Sequence, residues 1–357
     1  MPKMQKPMDT RSSGGAKVKG VPEKAPQGVT NEEYAARVRM ATRKPKNAVT
    51  VTFSEMDSYR QCPLKHKWSY KDGWREPARE GSALTRGSLY HEVMEAHYTL
   101  IQEGYRAPLD EFRQFMLEEF LIDKTGHQSE DQEIVEWMYD GYLECYGLDD
   151  DWEPVLIESA GEVRLRDEKG KPTKFYLRFK IDLVVRDRKT GHLWLVDHKS
   201  ASNLSRETEI DMQEQFRLYA WALRQLDIPI AGIIRSDART KRNKTPMKLE
   251  QRFRRVTTFM SDEEGDRIAL DLLNTAKAAY SPHTPIYAAP MPDMCSWRCP
   301  FLGVHLAWRR GLADEDTLMR DFGLFKTEEK HREYADGPVA TAIRQGRAGL
   351  PGGPENG

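Results

Sequence analysis

The feature that most constrains this chain is a pair of apolar runs joined by a tight turn, each carrying buried-looking charge. KFYLRFKIDLVVRD is followed, across RKTG, by HLWLVDHKSA. β-Branched and aromatic residues on both sides of a Lys-Thr-Gly turn predict an antiparallel hairpin. Asp182 lies in the first run, and Asp197 and Lys199 lie in the second. Side chains alternate along a strand, so Asp197 and Lys199 share one face while His198 takes the other. Leu193, Trp194, Leu195 and Val196 precede Asp197, which places its charge at the end of a core strand. Pairing through the turn would bring Asp182 and Asp197 together. Two carboxylates so placed repel unless a cation lies between them, and hard oxygen ligands favour Mg²⁺ or Mn²⁺. A lysine beside them can orient or deprotonate a water and offset phosphate charge.

The remaining sequence tells how that hairpin is embedded. The 357 residues suit one elaborated domain. Residues 1–48, rich in Lys, Pro, Gly and Ser, read as a basic flexible tail with at most a short helix at NEEYAARVRMATR, and residues 326–357 as a second tail. The folded part is expected over 49–325. It divides into a helical part (49–150), a catalytic sheet with helices (151–280) and a cysteine-containing closing segment (281–325). Ser54, with Asp57 three residues on, predicts the cap of a helix carrying Tyr59 and Cys62. Helices are expected over 87–104, 109–123 and 130–147 from apolar residues at threes and fours. VLIESAGEVRLRD, carrying Glu162, predicts a strand before the hairpin. SRETEIDMQEQFRLYAWALRQLD predicts one helix after it, with Met212, Phe216, Tyr219 and Leu223 on a single face. Two strands follow, then a helix capped by Ser261 and Glu264. That order predicts an α/β (α+β) fold with a mixed central sheet flanked by helices.

Composition excludes several classes. Lys+Arg at 55 against Asp+Glu at 56 leaves a net charge of -1, so affinity for nucleic acid must come from local clusters. One cluster carries Arg235, Arg239, Lys241, Arg242, Lys244, Lys248, Arg252, Arg254 and Arg255 against Asp237 and Glu250. It can follow a phosphate backbone, or be an ordinary solvated hairpin. Tyr59, Arg60, Lys65 and Lys67 could add a second edge. No apolar run reaches transmembrane length, no apolar stretch opens the chain, and four cysteines are too few for a disulfide scaffold, so a cytoplasmic protein is expected. HEVME lacks the second histidine of a zinc-protease helix, and neither a phosphate-binding G-x-x-x-x-G-K-[ST] loop nor a G-x-S-x-G elbow occurs. Any motor needed for processive work must belong to another chain.

The ordered set of motifs resembles the RecB-type nucleases of the PD-(D/E)XK superfamily, from about Thr52 to His305. Gly87 and His91 match that family's helix-borne histidine, Asp182 its first strand acid, Asp197 and Lys199 its D-x-K, and Gln215 and Tyr219 its Q-x-x-x-Y helix. Lys180 stands where the family usually has glycine. The resemblance implies a restriction-endonuclease-like core with an N-terminal helical elaboration. It implies that His91, Asp182 and Asp197 hold the metal, with the backbone carbonyl of His198 as a further ligand. Lys199 would be the catalytic lysine, while Gln215 and Tyr219 would position the site or the DNA. The implied activity is Mg²⁺- or Mn²⁺-dependent DNA cleavage, as an exonuclease on ends or single strands in repair, recombination or phage DNA metabolism. An endonuclease that trims or nicks DNA and a non-catalytic DNA-binding scaffold are the rivals. A separate helicase or annealing protein is a further implied partner. Cys62, Cys295, Cys299 and His305 resemble the cysteine set of iron–sulfur-containing CRISPR-associated and helicase-associated exonucleases, with His305 in place of the last cysteine. They imply a 4Fe–4S cluster, with structural zinc or no metal as alternatives. Cys145, on a predicted helix, reads as a buried thiol.

Overall fold

The computed structural model describes residues 28–39, 44–77, 83–122 and 128–328. Its elements run α1 (Asn31–Arg39), β1 (Val49–Val51), α2 (Phe53–Gln61), α3 (Pro63–His66), β2 (Trp74–Arg75), α4 (Ala83–Gln102), α5 (Leu109–Met116), α6 (Glu130–Tyr146), β3 (Trp152–Arg166), β4 (Pro172–Asp187) and β5 (Leu193–Ala201). Then come α7 (Glu207–Asp211), α8 (Glu214–Gln225), β6 (Ile230–Arg239), β7 (Phe253–Thr258), α9 (Asp262–Ala279), α10 (Pro292–Arg298), α11 (Leu302–Arg309), α12 (Glu315–Asp321) and β8 (Phe325–Lys326). This is the mixed α/β architecture expected from the sequence.

Local chemistry sets several boundaries. Thr52, two residues before Ser54, caps α2, its hydroxyl accepting from the Glu55 N–H at 3.1 Å. Ser54 falls inside the first turn instead. Ser261 caps α9 by accepting from the Glu264 N–H, but the Glu264 carboxylate turns to Arg217 at 2.9 Å, so the box is half made. The helix expected across 205–227 breaks into α7 and α8. Met212 sits at the break, 81% exposed, while Phe216, Tyr219 and Leu223 are buried as expected.

The sheet has the order β1-β4-β5-β6-β7, with β3 also paired to β4. β3 is antiparallel to β4 along nearly its whole length. The other edge of β4 is shared: β1 runs parallel to Phe175–Leu177, and β5 runs antiparallel to Leu183–Arg186. Residues 178–182 of that edge therefore have no strand partner among the described residues. The sheet forks there.

Apolar clusters cover both faces. One gathers β1, α1, α2, α8 and α9 over residues such as Leu193, Leu195 and Ile233; the other gathers α4, α5 and α6 over Leu183, Val185 and Val196. Tyr34 and Val38 of α1 are buried in the first cluster, so α1 belongs to the fold and not to a tail ending at 48. Each such side chain is worth about 1.5–3 kcal/mol on burial. Residues 1–27, 40–43 and 329–357 lie outside the described residues, and with them most of the two expected tails. A third cluster packs Leu64, Trp68 and Trp74 against Phe301, Val304, Leu318 and Met319, and β2 pairs with β8 beside it. Gly73 has φ of +81, and a Cβ there would strike the Thr327 carbonyl oxygen, so only glycine lets the two ends meet. Among the described residues no helix is long and apolar enough to cross a membrane.

The second cluster encloses His97, whose Nδ1 shares a 2.9 Å hydrogen bond with the Tyr139 hydroxyl. Burial pushes its pKa down to about 4, more than nearby Asp149 restores. The unfolded chain then takes up the proton first, so stability is full above pH 6.5 and is lost as pH falls toward 4. Between pH 7 and 4.5 this site alone should remove about 2–3 kcal/mol. Urea unfolding at the two pH values should show that much less acid loss in His97→Gln, and equal losses would refute the assignment.

Candidate active site

The fork brings the acidic residues together. Ile157↔Leu183 and Ser159↔Ile181 set Glu158 opposite Asp182. Leu183↔Val196 is the last rung of the β4–β5 ladder and leaves Asp182 facing Asp197. The three carboxylates thus lie in one row across β3, β4 and β5. Beyond the last rung Asp182 Oδ2 accepts from the His198 backbone N–H at 2.8 Å, so the carboxylate fills the opening between the strands.

α4 supplies the histidine. His91 Nδ1 lies 3.5 Å from Asp182 Oδ2 and 3.8 Å from Glu158 Oε1. Gly87, one turn earlier, faces Ser200 of β5, where a Cβ would sit in ordinary contact 3.4 Å from the Ser200 hydroxyl. One ligand atom each from His91, Glu158 and Asp182 falls within a 4.8 Å group suited to a metal ion. Asp197 adds a further acid on β5. Its Oδ1 accepts from Lys199 Nζ at 2.9 Å, and its buried Oδ2 has no hydrogen-bond partner among the described residues. An orphaned buried carboxylate oxygen is costly unless a cation satisfies it, so these residues fit a hard divalent metal.

The electrostatics agree. Burial raises the Asp197 pKa, with Asp182 adding to the rise and Lys199 opposing it. Burial works against the Lys199 ammonium, yet Asp197 and Asp182 outweigh it and push its pKa up. Both carboxylates thus favour the charged form of Lys199. His91 follows the same balance: burial opposes its protonation, while Asp182 and Glu158 raise its pKa.

Other expected residues lie around this row. The His198 ring is on the opposite face, buried 5.8 Å from Tyr98. Gln215 Nε2 donates to the Tyr219 hydroxyl at 3.2 Å, and Tyr219 packs on Phe179 of β4, so these two residues pair with each other. Glu162, which the sequence suggested, is held by Arg178 at 3.1 Å and by Lys44. The acid that sequence reasoning missed is Glu158. The basic hairpin also needs correction. Arg235, Arg252 and Arg255 turn inward, onto Asp237, Trp137 and Asp149 respectively, which leaves Lys241, Arg242, Lys244 and Lys248 exposed at its loop.

A second group of expected residues gathers elsewhere. Cys62, Cys295, Cys299 and His305 line one hollow together with Trp68, Met291 and Phe301. Cys62 caps α3, and its Sγ accepts from the backbone N–H groups of Lys65 and Ala289, both at 3.5 Å. Burial pushes the Cys299 thiol pKa up, with Cys295 and Cys62 acting in the same direction. No three of these four donors fall within 4.8 Å of one another. Cys145 is half-buried on α6 and does not line this hollow.

A family model for the PD-(D/E)XK nuclease superfamily matches residues 50–304. The chain belongs to that superfamily. No curated protein matches it. Among solved structures it is similar to SSO0001, at 13% identity over 76% of this chain and 91% of that one, with a TM-score of 0.31. It is also similar to a Eubacterium rectale protein proposed to be an exonuclease, at 11% identity over 76% of this chain and 99% of that one, with a TM-score of 0.34. Those likenesses are loose, and the family assignment rests on the sequence match.

Proposed function

We propose that this chain is a Mg²⁺- or Mn²⁺-dependent deoxyribonuclease, acting as an exonuclease on DNA ends or single strands, with its domain spanning the folded segment described above. The observation that carries the reading is the orphaned Asp197 oxygen facing Asp182 at the fork, with Lys199 beside it. His91, Asp182 and Asp197 would hold the cation, with the His198 carbonyl as a further ligand. When bound it supplies Lewis-acid chemistry at the phosphate. Lys199 offsets negative charge on the scissile phosphate, Asp182 ties β5 to the site through the His198 N–H, and Gln215 with Tyr219 steadies the flanking helix. The exposed hairpin loop, Lys241 to Lys248, suits the DNA backbone. The preference for ends follows the family resemblance. Incubating end-labelled linear DNA and closed circles, single- and double-stranded, with Mg²⁺, Mn²⁺ or EDTA tests the reading. Loss of linear DNA alone is expected; cut circles would make it an endonuclease, and binding without cleavage a scaffold.

We propose further that Cys62, Cys295, Cys299 and His305 hold an iron–sulfur cluster. Structural zinc is the alternative for the same four donors. The backbone N–H groups aimed at Cys62 suit a thiolate. Anaerobically purified protein should absorb near ~400 nm and contain iron; colourless, iron-free protein would sink this assignment.

A further inference from the structure

We propose that Lys180 is a built-in cation of the active site, held by Glu158 where a second divalent ion would otherwise bind, so that the site works with a single metal ion. This rests on the metal-dependent reading given above.

Lys180 lies two residues before Asp182 on β4, and its Nζ is 2.9 Å from Glu158 Oε2. The two side chains are only 19% and 11% exposed. The other oxygen of Glu158 faces His91 at 3.8 Å. Glu158 is thus a bridging carboxylate, turned to the metal-binding histidine on one side and to a lysine on the other. Its backbone has φ of +41 although the rungs on both sides are made. Residues other than glycine seldom adopt that conformation inside a strand, so the carboxylate's placement is maintained against a local cost.

The row then has a definite charge pattern. Glu158 carries Lys180 at one end, Asp197 carries Lys199 at the other, and Asp182 stands between them without a lysine. The two ammonium groups answer Glu158 and Asp197, which leaves Asp182 for a divalent ion to balance. A second divalent ion would have to share Glu158 with an ammonium already 2.9 Å away, where like charges in a poorly hydrated site repel strongly. Lys180 therefore blocks the second position and supplies part of the charge it would have brought. A lysine is compact enough for this, because its ammonium acts as a point charge.

The test counts Mn²⁺ bound to the full chain by the loss of the free-ion electron paramagnetic resonance signal. The wild type and Lys180→Arg should bind one Mn²⁺. Lys180→Ala should bind two, and Glu158→Gln added to Lys180→Ala should return the count to one. Two ions on the wild type, or one on Lys180→Ala, would overturn the proposal. Asp182→Asn separates the two readings: Mn²⁺ binding undiminished in that variant would defeat the metal site itself, whatever Lys180 does. Melting temperatures without metal show which variants are folded, and Lys180→Gln gives the same readout if the alanine variant is not. In cleavage assays the dependence on Mn²⁺ concentration should steepen from first order in the wild type toward second order in Lys180→Ala.

Discussion

Lys199→Met is expected to lower metal-dependent DNA cleavage by about 10²–10³-fold while leaving Mn²⁺ binding close to that of the wild type. The distinction follows from geometry. Lys199 donates to Asp197 Oδ1, whereas the orphaned Oδ2 is the atom available to a cation. Asp197 and Asp182 favour its ammonium despite burial, so the substitution removes a positive charge beside the carboxylates. Asp182→Asn should remove both cleavage and Mn²⁺ binding. A ligand that binds only the folded state raises the melting temperature, so an excess of Mn²⁺ should stabilise the wild type and Lys199→Met but not Asp182→Asn. If Lys199→Met cleaves at the wild-type rate, Lys199 has no part in the chemistry.

The second large effect concerns stability. Arg255→Met should destabilise the fold by about 3–5 kcal/mol, because it leaves a buried carboxylate without its partner. Asp149 is 7% exposed and takes both Arg255 nitrogens, at 2.6 and 2.8 Å, together with the hydroxyls of Tyr98 at 2.9 Å and Tyr142 at 2.6 Å. Burial would raise the Asp149 pKa, but Arg255 and Tyr142 outweigh it and hold it down. The guanidinium also lies 3.6 Å from the Tyr146 ring centroid and 4.1 Å from that of Trp152. Adding Asp149→Asn to Arg255→Met should recover part of the loss, since the uncompensated charge is then gone. Urea unfolding of the two variants checks this, and a double variant less stable than the single one would contradict it.

These two sites differ in how far the sequence announces them. The β4–β5 hairpin, Asp182, Asp197 and Lys199 are legible because a short turn fixes the register and strand alternation fixes the face. The two longer β-runs and the helices of the middle segment are legible from apolar spacing alone. Glu158 is hidden for a definite reason. From Arg166↔Pro172 to Arg164↔Tyr176, two residues of β3 correspond to four of β4, and this irregularity moves the register so that Glu158 faces Asp182. A count made back from the turn puts Leu156 there. Arg255 reads as a charge of a solvent-facing hairpin, because composition cannot tell a cation over an aromatic ring from one in water. Its partner Asp149, 106 residues away, becomes visible only once β7 lies in the sheet. The break at Met212 was equally hidden, since apolar spacing continues across it.

The pinning of the two ends of the domain has a consequence for how the protein is made. Cys62 and Ala289, joined by a hydrogen bond, are 227 residues apart in the chain. At ordinary synthesis rates of ~5–20 residues per second, Cys62 leaves the ribosome roughly 10–45 s before its partner segment exists. The sheet and its two flanking cores can close in that interval, but the cysteine-lined hollow cannot. Until then Leu64, Trp68 and the Cys62 thiol lack the segment that covers them. A chain cut short after α9 would keep the carboxylate row and lose this cover, leaving Leu64, Trp68 and Cys62 exposed.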